Sequence, residues 1–155
     1  MRPDLALGSA QFGLKYGYSD AKDPRPKVSH TELGKILNTA SLAGIQVIDT
    51  AHAYGSALDA LGYYSDKIQK SAFNIVTKIP KIEGLINWRR IAQIDREFKA
   101  DLQRLDVGHV YCLMVHNAND LLRAGAHRFF DYLVSQKNEG FCRKIGVSCY
   151  YPNEI

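Results

Sequence analysis

The chain has 155 residues, 46% of them hydrophobic and 23% charged, with a formal net charge of +4 at pH 7. This composition predicts a globular domain and excludes a disordered or fibrous chain. The basic residues are scattered with no run of five or six, so no nucleic-acid partner is expected, and a mild positive balance, which suits an anionic small ligand as well as no partner at all, reads as a solvated surface.

In chain order, Met1-Arg2-Pro3-Asp4-Leu5 places Pro and Asp where a signal peptide needs its apolar region, so no secretion signal is read here. The first β-like run is Leu5-Ala6-Leu7. After it come Gly8-Ser9-Ala10-Gln11-Phe12-Gly13 and a connection of about twenty residues with Pro24 and Pro26, more like an active-site loop than a tight phosphate turn. Ser29 or His30 then caps a predicted helix over 31–43, whose apolar face is Leu33, Ile36, Leu37 and Ala40, with Gly44 as its stop. Gln46-Val47-Ile48 is the second run, and Leu58, Leu61 and Ile68 mark a weaker helix with Gly62 inside it.

Asn74 to Thr77 is the third strand-like run. The clearest helix follows at Trp88 to Leu105: Ile91, Ile94, Phe98, Leu102 and Leu105 recur at helical spacing, and Arg89, Arg90, Asp95, Arg96, Glu97, Lys99 and Arg104 take the other positions. His109 to Val115 is the fourth strand; the apolar run within it, Val110 to Val115, is the longest in the chain and too short to span a bilayer, so no membrane partner is expected. A helix with Phe129, Phe130, Leu133 and Val134 ends before Gly140, Lys144 to Val147 is the fifth strand, and Pro152 opens a further helix. Cys112, Cys142 and Cys149 are odd in number and form no C-x-x-C pair, which fits a reduced, cytoplasmic setting.

Such β/α alternation requires crossover connections and predicts an α/β fold with a parallel sheet covered by helices. A doubly wound dinucleotide-binding sheet should carry Gly-x-Gly-x-x-Gly at its first turn, and the segment Gly8 to Gly13 does not. The other architecture that satisfies the order is a TIM-type (β/α)8 barrel, which takes about 250 residues. The chain therefore reads as one partial barrel domain over 1–155, truncated to about the first five β/α units and lacking the C-terminal strands. Its first and fifth strands would be open sheet edges that favour self-association.

Four polar residues fall at the strand ends that face one mouth of such a barrel: Asp49 ends the second strand, Tyr54 lies in the loop after it, Lys78 ends the third and His116 the fourth. Singly, each has an ordinary reading as cap, packing residue, surface lysine or structural histidine. Together they make chemical sense. A free tyrosine titrates near about 10, so a tyrosine that gives up a proton at neutral pH benefits from a nearby ammonium that stabilises the phenolate. Asp49 would hold Lys78 charged, and His116 could orient a carbonyl oxygen.

Asp49-Thr50-Ala51-His52-Ala53-Tyr54-Gly55, Val76-Thr77-Lys78, Val110 to His116-Asn117 and Ile145-Gly146-Val147-Ser148 resemble, in order, the strand-end motifs of the aldo-keto reductase superfamily. Leu7 to Leu14 is similar to the first-strand segment of its bacterial members, and the resemblance runs from near residue 5 to near residue 150. It implies NADPH, or NADH, as cofactor and a small-molecule carbonyl as substrate. Asp49, Tyr54, Lys78 and His116 would be the catalytic tetrad, with Tyr54 as general acid. His116 stands where members that reduce a steroid carbon–carbon double bond carry glutamate. Ser148 and Asp49 would contact the cofactor, and Phe12, His52 and Tyr16 would border the substrate pocket.

The sequence departs from the family at Cys149, where an asparagine often follows the serine. The sixth to eighth strands, which in the family supply the pyrophosphate and 2′-phosphate contacts, are not in this sequence. Three functions are therefore expected: a carbonyl reductase, an inactive fragment that keeps the tetrad, or a cofactor-sensing or partner-binding subunit. No metal site is expected.

Overall fold

In a computed structural model, residues 5–17, 26–70 and 73–154 are described. Met1 to Asp4, read against a signal peptide, and the Pro24 part of the long connection lie outside them. Five strands, β1 (Ala6–Gly8), β2 (Val47–Asp49), β3 (Asn74–Ile79), β4 (Val110–Val115) and β5 (Cys142–Val147), form one sheet in sequential order. All neighbours are parallel, in a register that sets Gly8 beside Asp49, Asp49 beside Val76, Lys78 beside Met114 and Met114 beside Gly146. A doubly wound sheet reverses its strand order at a switch point. Here the order never reverses, and the sheet is that of successive barrel units.

The helices are α1 (Ala10–Gly13), α2 (His30–Leu42), α3 (Ala57–Gly62), α4 (Ser65–Lys70), α5 (Trp88–Leu105) and α6 (Ala126–Asn138). The Ser29 hydroxyl caps α2 by accepting from the Glu32 N–H at 3.2 Å, and the side-chain carbonyl of Asn87 caps α5 by accepting from the Arg90 N–H at 3.0 Å. Both caps satisfy an N–H that has no partner inside the helix. Beyond α2, Gly44 adopts φ 76°, and α5 closes on Asp106 at φ 53°, a left-handed position that an Asp tolerates.

Three elements differ from expectation. The weak helix between Leu58 and Ile68 is two helices, because the chain turns at Tyr63-Tyr64. The first turn of the long connection contains α1, and Pro152 opens a single 3-10 turn, Pro152–Glu154, rather than a longer helix among the described residues.

Burial alternates along the strands although the residues themselves are apolar on both faces. Ile48, Ile75, Thr77, Ile79, Leu113 and Val115 are nearly inaccessible. The apolar ones share one core with Leu33 and Leu37 of α2, Ile94, Phe98, Leu102 and Leu105 of α5, and Phe129 and Leu133 of α6. Val47, Asp49, Val76, Cys112 and Met114 alternate with them and are only partly covered. Helices thus cover one face, while the other, only partly covered, carries Asp49. Among the described residues no helix is long and apolar enough to cross a membrane.

Gly62, a weak point by helix propensity, is where α3 meets α5. A Cβ added there would lie 2.0 Å from the backbone oxygen of Arg104. Gly62→Ala is therefore expected to cost about 1–3 kcal/mol by overpacking against rigid backbone, despite the roughly 1 kcal/mol that alanine gains in an open helix. Gly108, where an added Cβ would meet nothing within 4 Å, serves as control: Gly108→Ala should stay within about 0.5 kcal/mol. Urea unfolding of both variants measures the difference.

Candidate active site

Parallel β/α units bring the C-terminal ends of all strands to one side of the sheet. The ladder continues just past these ends: the Ser9 N–H donates to the Asp49 carbonyl at 2.9 Å, Thr50 to Val76 at 2.8 Å, His116 to Ile79 at 3.2 Å and Ser148 to Val115 at 2.8 Å. Side chains at these positions are therefore held at fixed height by backbone.

Lys78 lies on β3 and is only 6% exposed. Its Nζ donates to both oxygens of Asp49 at 2.7 Å and to the Thr50 carbonyl at 3.0 Å, and lies 3.4 Å from the Tyr54 hydroxyl oxygen. An ammonium has three N–H groups, and carboxylate, carbonyl and phenol account for them. Burial of that charge is tolerable only because it is paired in this way. Asp49 keeps a third of its side chain accessible, at 34%. The Lys78 ammonium also sits 5.0 Å from the centre of the Tyr54 ring.

His116 completes the group. Its ring meets the Tyr54 ring edge-on, with centroids 6.2 Å apart and planes at 86°. Burial and then the Lys78 charge hold the imidazole below its ordinary pKa, only partly offset by Asp49. His116 is accordingly neutral at pH 7 and offers one ring N–H to a polar atom at the mouth.

Asp49, Tyr54, Lys78 and His116 are thus brought together. Ser148 is half-buried at the end of β5, beside the β4 end that leads into His116. Phe12, expected at the pocket border, is 3% exposed and packs in the hydrophobic core, and Tyr16 is largely exposed. His52 is turned toward α5, with Nδ1 at 2.9 and 3.0 Å from the two oxygens of Asp101.

Sequence reasoning missed Asp101 and placed Arg104 only among the positions off the apolar stripe of α5. Both belong to the support of this site: Arg104 pairs with Asp59 at 2.8 Å and donates to the Gly55 carbonyl at 2.9 Å. A signal was available, since Ile94, Phe98, Asp101 and Leu105 share the spacing of one helix face. A carboxylate on the buried face of a helix needs a partner, and burial raises the Asp101 pKa against the opposing pull of His52 and Arg104.

The parallel β/α sheet of sequential order, with a buried lysine–aspartate pair under a tyrosine at its C-terminal mouth, has the architecture of the first units of a (β/α)8 barrel. The sequence profile of the Aldo/keto reductase family matches residues 4–155, and the chain belongs to that family. A Pseudomonas aeruginosa protein assigned to the aldo-keto reductases superposes with a TM-score of 0.74 at 26% identity, over 94% of this chain and 55% of that one. A Bacillus halodurans aldo-keto reductase in its holo form gives 0.70 at 21% identity, over 97% and 47% of the two chains. One from Brucella melitensis gives 0.64 at 20%, over 98% and 51%, and these last two bear on the fold alone. The chain spans about half the length of these solved structures. Among curated proteins none matches this chain.

The imidazole environment is directly measurable. By NMR, His116 should titrate below the ordinary histidine value of about 6.5. Lys78→Met should raise the midpoint only part of the way, because burial, the larger cause, remains. The unfolded imidazole takes its proton first, so the contribution to stability is full above about 6.5 and declines as pH falls through the native midpoint.

Proposed function

We propose that this chain carries the proton-donating centre of an NADP(H)-dependent oxidoreductase that reduces an aldehyde or ketone to an alcohol. The observation that carries the reading is the buried Lys78 ammonium, held by Asp49 and lying 3.4 Å from the Tyr54 hydroxyl. Tyr54 would give its phenolic proton to the carbonyl oxygen, and the phenolate left behind would face the ammonium, whose charge is already in place before the proton moves. In the reverse direction that phenolate would take the proton of the alcohol. His116, neutral and edge-on to Tyr54, would donate to the same carbonyl oxygen and fix its direction.

The donor set fits the reacting end of a nicotinamide nucleotide. NADPH, or NADH, supplies the hydride when bound. The Ser148 hydroxyl, half-buried just past β5, would hold the carboxamide, and Asp49 keeps an accessible carboxylate edge at the same end of the sheet. Cys149 leans the other way, its Sγ lying 3.8 Å from the Glu154 carbonyl, and offers little to a carboxamide. Because the chain spans about half the length of its solved relatives, the rest of the nucleotide and substrate contacts would come from further polypeptide. The edges of β1 and β5, unpaired among the described residues, are where such polypeptide or a second copy of the chain would add. A small-molecule carbonyl in the cytoplasm is the proposed substrate setting.

The test is oxidation of NADPH, followed at 340 nm, with an aldehyde as substrate. Tyr54→Phe should lower kcat by roughly 10²–10⁴-fold, the span of general-acid catalysis, and leave nucleotide binding, read by NADPH fluorescence, unchanged. A chain that shows no saturable fluorescence change would instead be the inactive or partner-dependent form. A Tyr54→Phe variant as active as the parent would remove the reading altogether.

A further inference from the structure

Two side chains of α5, neither of them placed at the reacting atoms, grip the loop that carries Tyr54 from both ends. Asp101 is 4% exposed, and its two oxygens lie 2.9 and 3.0 Å from His52 Nδ1, whose proton they accept. One turn further along the helix, Arg104 Nη2 donates to the Gly55 carbonyl at 2.9 Å. The guanidinium is itself fixed by Asp59, at 3.0 Å from Nε and 2.8 Å from Nη2, and its Nη1 lies 3.4 Å from Asp101. Residues 52 and 55 bracket Tyr54.

The opposite side of the loop is closed by backbone. A Cβ on Gly13 of α1 would fall 1.8 Å from the Tyr54 carbonyl oxygen, and a Cβ on Gly55, at φ 59°, would meet the Gly13 oxygen at 2.7 Å. The His52 N–H also makes a long contact, 3.5 Å, with the carbonyl of Lys78 itself. The loop is therefore tied at once to the helix layer and to the strand that bears the ammonium.

We infer that Asp101 and Arg104 form a positioning dyad that, through His52 and the Gly55 carbonyl, sets the Tyr54 hydroxyl within reach of Lys78. A carboxylate on the core face of α5 is costly unless it is used, and an apolar residue would serve packing alone better. Its use here is to immobilise His52. Arg104 supplies a rigid fork, which reads Asp59 and Gly55 together as a lysine could not. The catalytic consequence rests on the proton-donor role proposed for Tyr54, whereas the clamp itself does not.

The test uses the 155-residue chain with two pairs of variants. His52→Ala removes the grip, while His52→Asn keeps a side-chain N–H near the Nδ1 position; Asp101→Leu removes the acceptor, while Asp101→Asn keeps one. With ring-labelled tyrosine, the Tyr54 signal among the nine tyrosines is assigned by its loss in Tyr54→Phe. His52→Ala and Asp101→Leu should shift that signal and speed amide exchange over residues 52–55 by about tenfold or more, with the other tyrosines unmoved and with recovery in His52→Asn and Asp101→Asn. In turnover, kcat should fall by about 10–100-fold, the scale of a small misplacement of a reacting group, with nucleotide affinity and KM unchanged. A folded His52→Ala whose Tyr54 signal and exchange match the parent overturns the inference, as does a shift spread evenly over all tyrosines. Should Asp101→Leu not fold, the half-exposed His52 pair decides alone. If the parent chain reduces no aldehyde, the proposed function fails while the NMR and exchange results still judge the clamp.

Discussion

A lysine ammonium taken out of water must find acceptors for all three of its N–H groups, and the arrangement of β2, β3 and the loop after β2 follows from how Lys78 finds them. Asp49 ends the neighbouring strand, and its backbone pairs with Val76, two residues before Lys78. That stagger brings the carboxylate to the ammonium, and the Thr50 carbonyl lies next to it. A slip of one residue in this pairing would turn Lys78 toward the helices, where Ile75, Thr77 and Ile79 now sit. The parallel register is thus coupled to a charge pair as well as to apolar packing, and a wrong register would strand an ion in the core.

The helix layer contributes more than cover for the sheet. α5 buries Ile94, Phe98, Leu102 and Leu105 against the strands, and from the same arc it presents Asp101 to His52. Close backbone approaches make this reach possible: Gly62 lets α3 lie against the carbonyl of Arg104, and Gly13 lets α1 lie against the carbonyl of Tyr54. A second fastening joins the loops after β3 and β4. Asp120, 1% exposed, accepts from the Ile82 N–H at 2.9 Å, and Arg123 donates to the carbonyls of Ile82 and Gly84. The rim of the mouth is therefore built from side-chain to backbone bonds, which hold irregular segments where no ladder can.

Much of the fold was legible because its elements are of the kinds that leave local signatures. The spacing of Ile94, Phe98, Leu102 and Leu105 predicts α5 with the bounds that the structure shows, and the apolar runs locate all five strands to within a few residues. α1 was not legible, since four residues are too few to show a period, and the break at Tyr63-Tyr64 was hidden by apolar positions that continue across it. In the site, Asp49, Lys78 and His116 stood out because a polar residue at the end of an apolar strand is locally conspicuous. Asp101 and Arg104 were obscured by the opposite circumstance. On a helix full of charges one more carboxylate is inconspicuous, and only its membership of the buried arc distinguishes it. Phe12, packed in the core, shows the limit from the other side: proximity along the chain to the mouth does not say which way a side chain turns.

The division of parts between strands has a chemical sense. Asp49, Tyr54, Lys78 and His116 come from three consecutive strand ends, so the charge, the phenol and the imidazole assemble from contacts that lie within residues 49–116. Each contact is short in space and moderate in sequence separation, so the loop-closure cost of bringing the group together is modest. Proton donation of the kind proposed needs only that cluster and the helix that clamps it. Hydride delivery demands more, because the carbon that receives it must be held relative to Tyr54 by contacts on several sides. In the proposed function Ser148, just past β5, would be one side of that cradle, on a sheet face whose Val76, Cys112 and Met114 are only partly buried. In the proposed function the proton-transfer cluster is therefore the self-contained part, and placement of a nucleotide would depend on what closes the inner face.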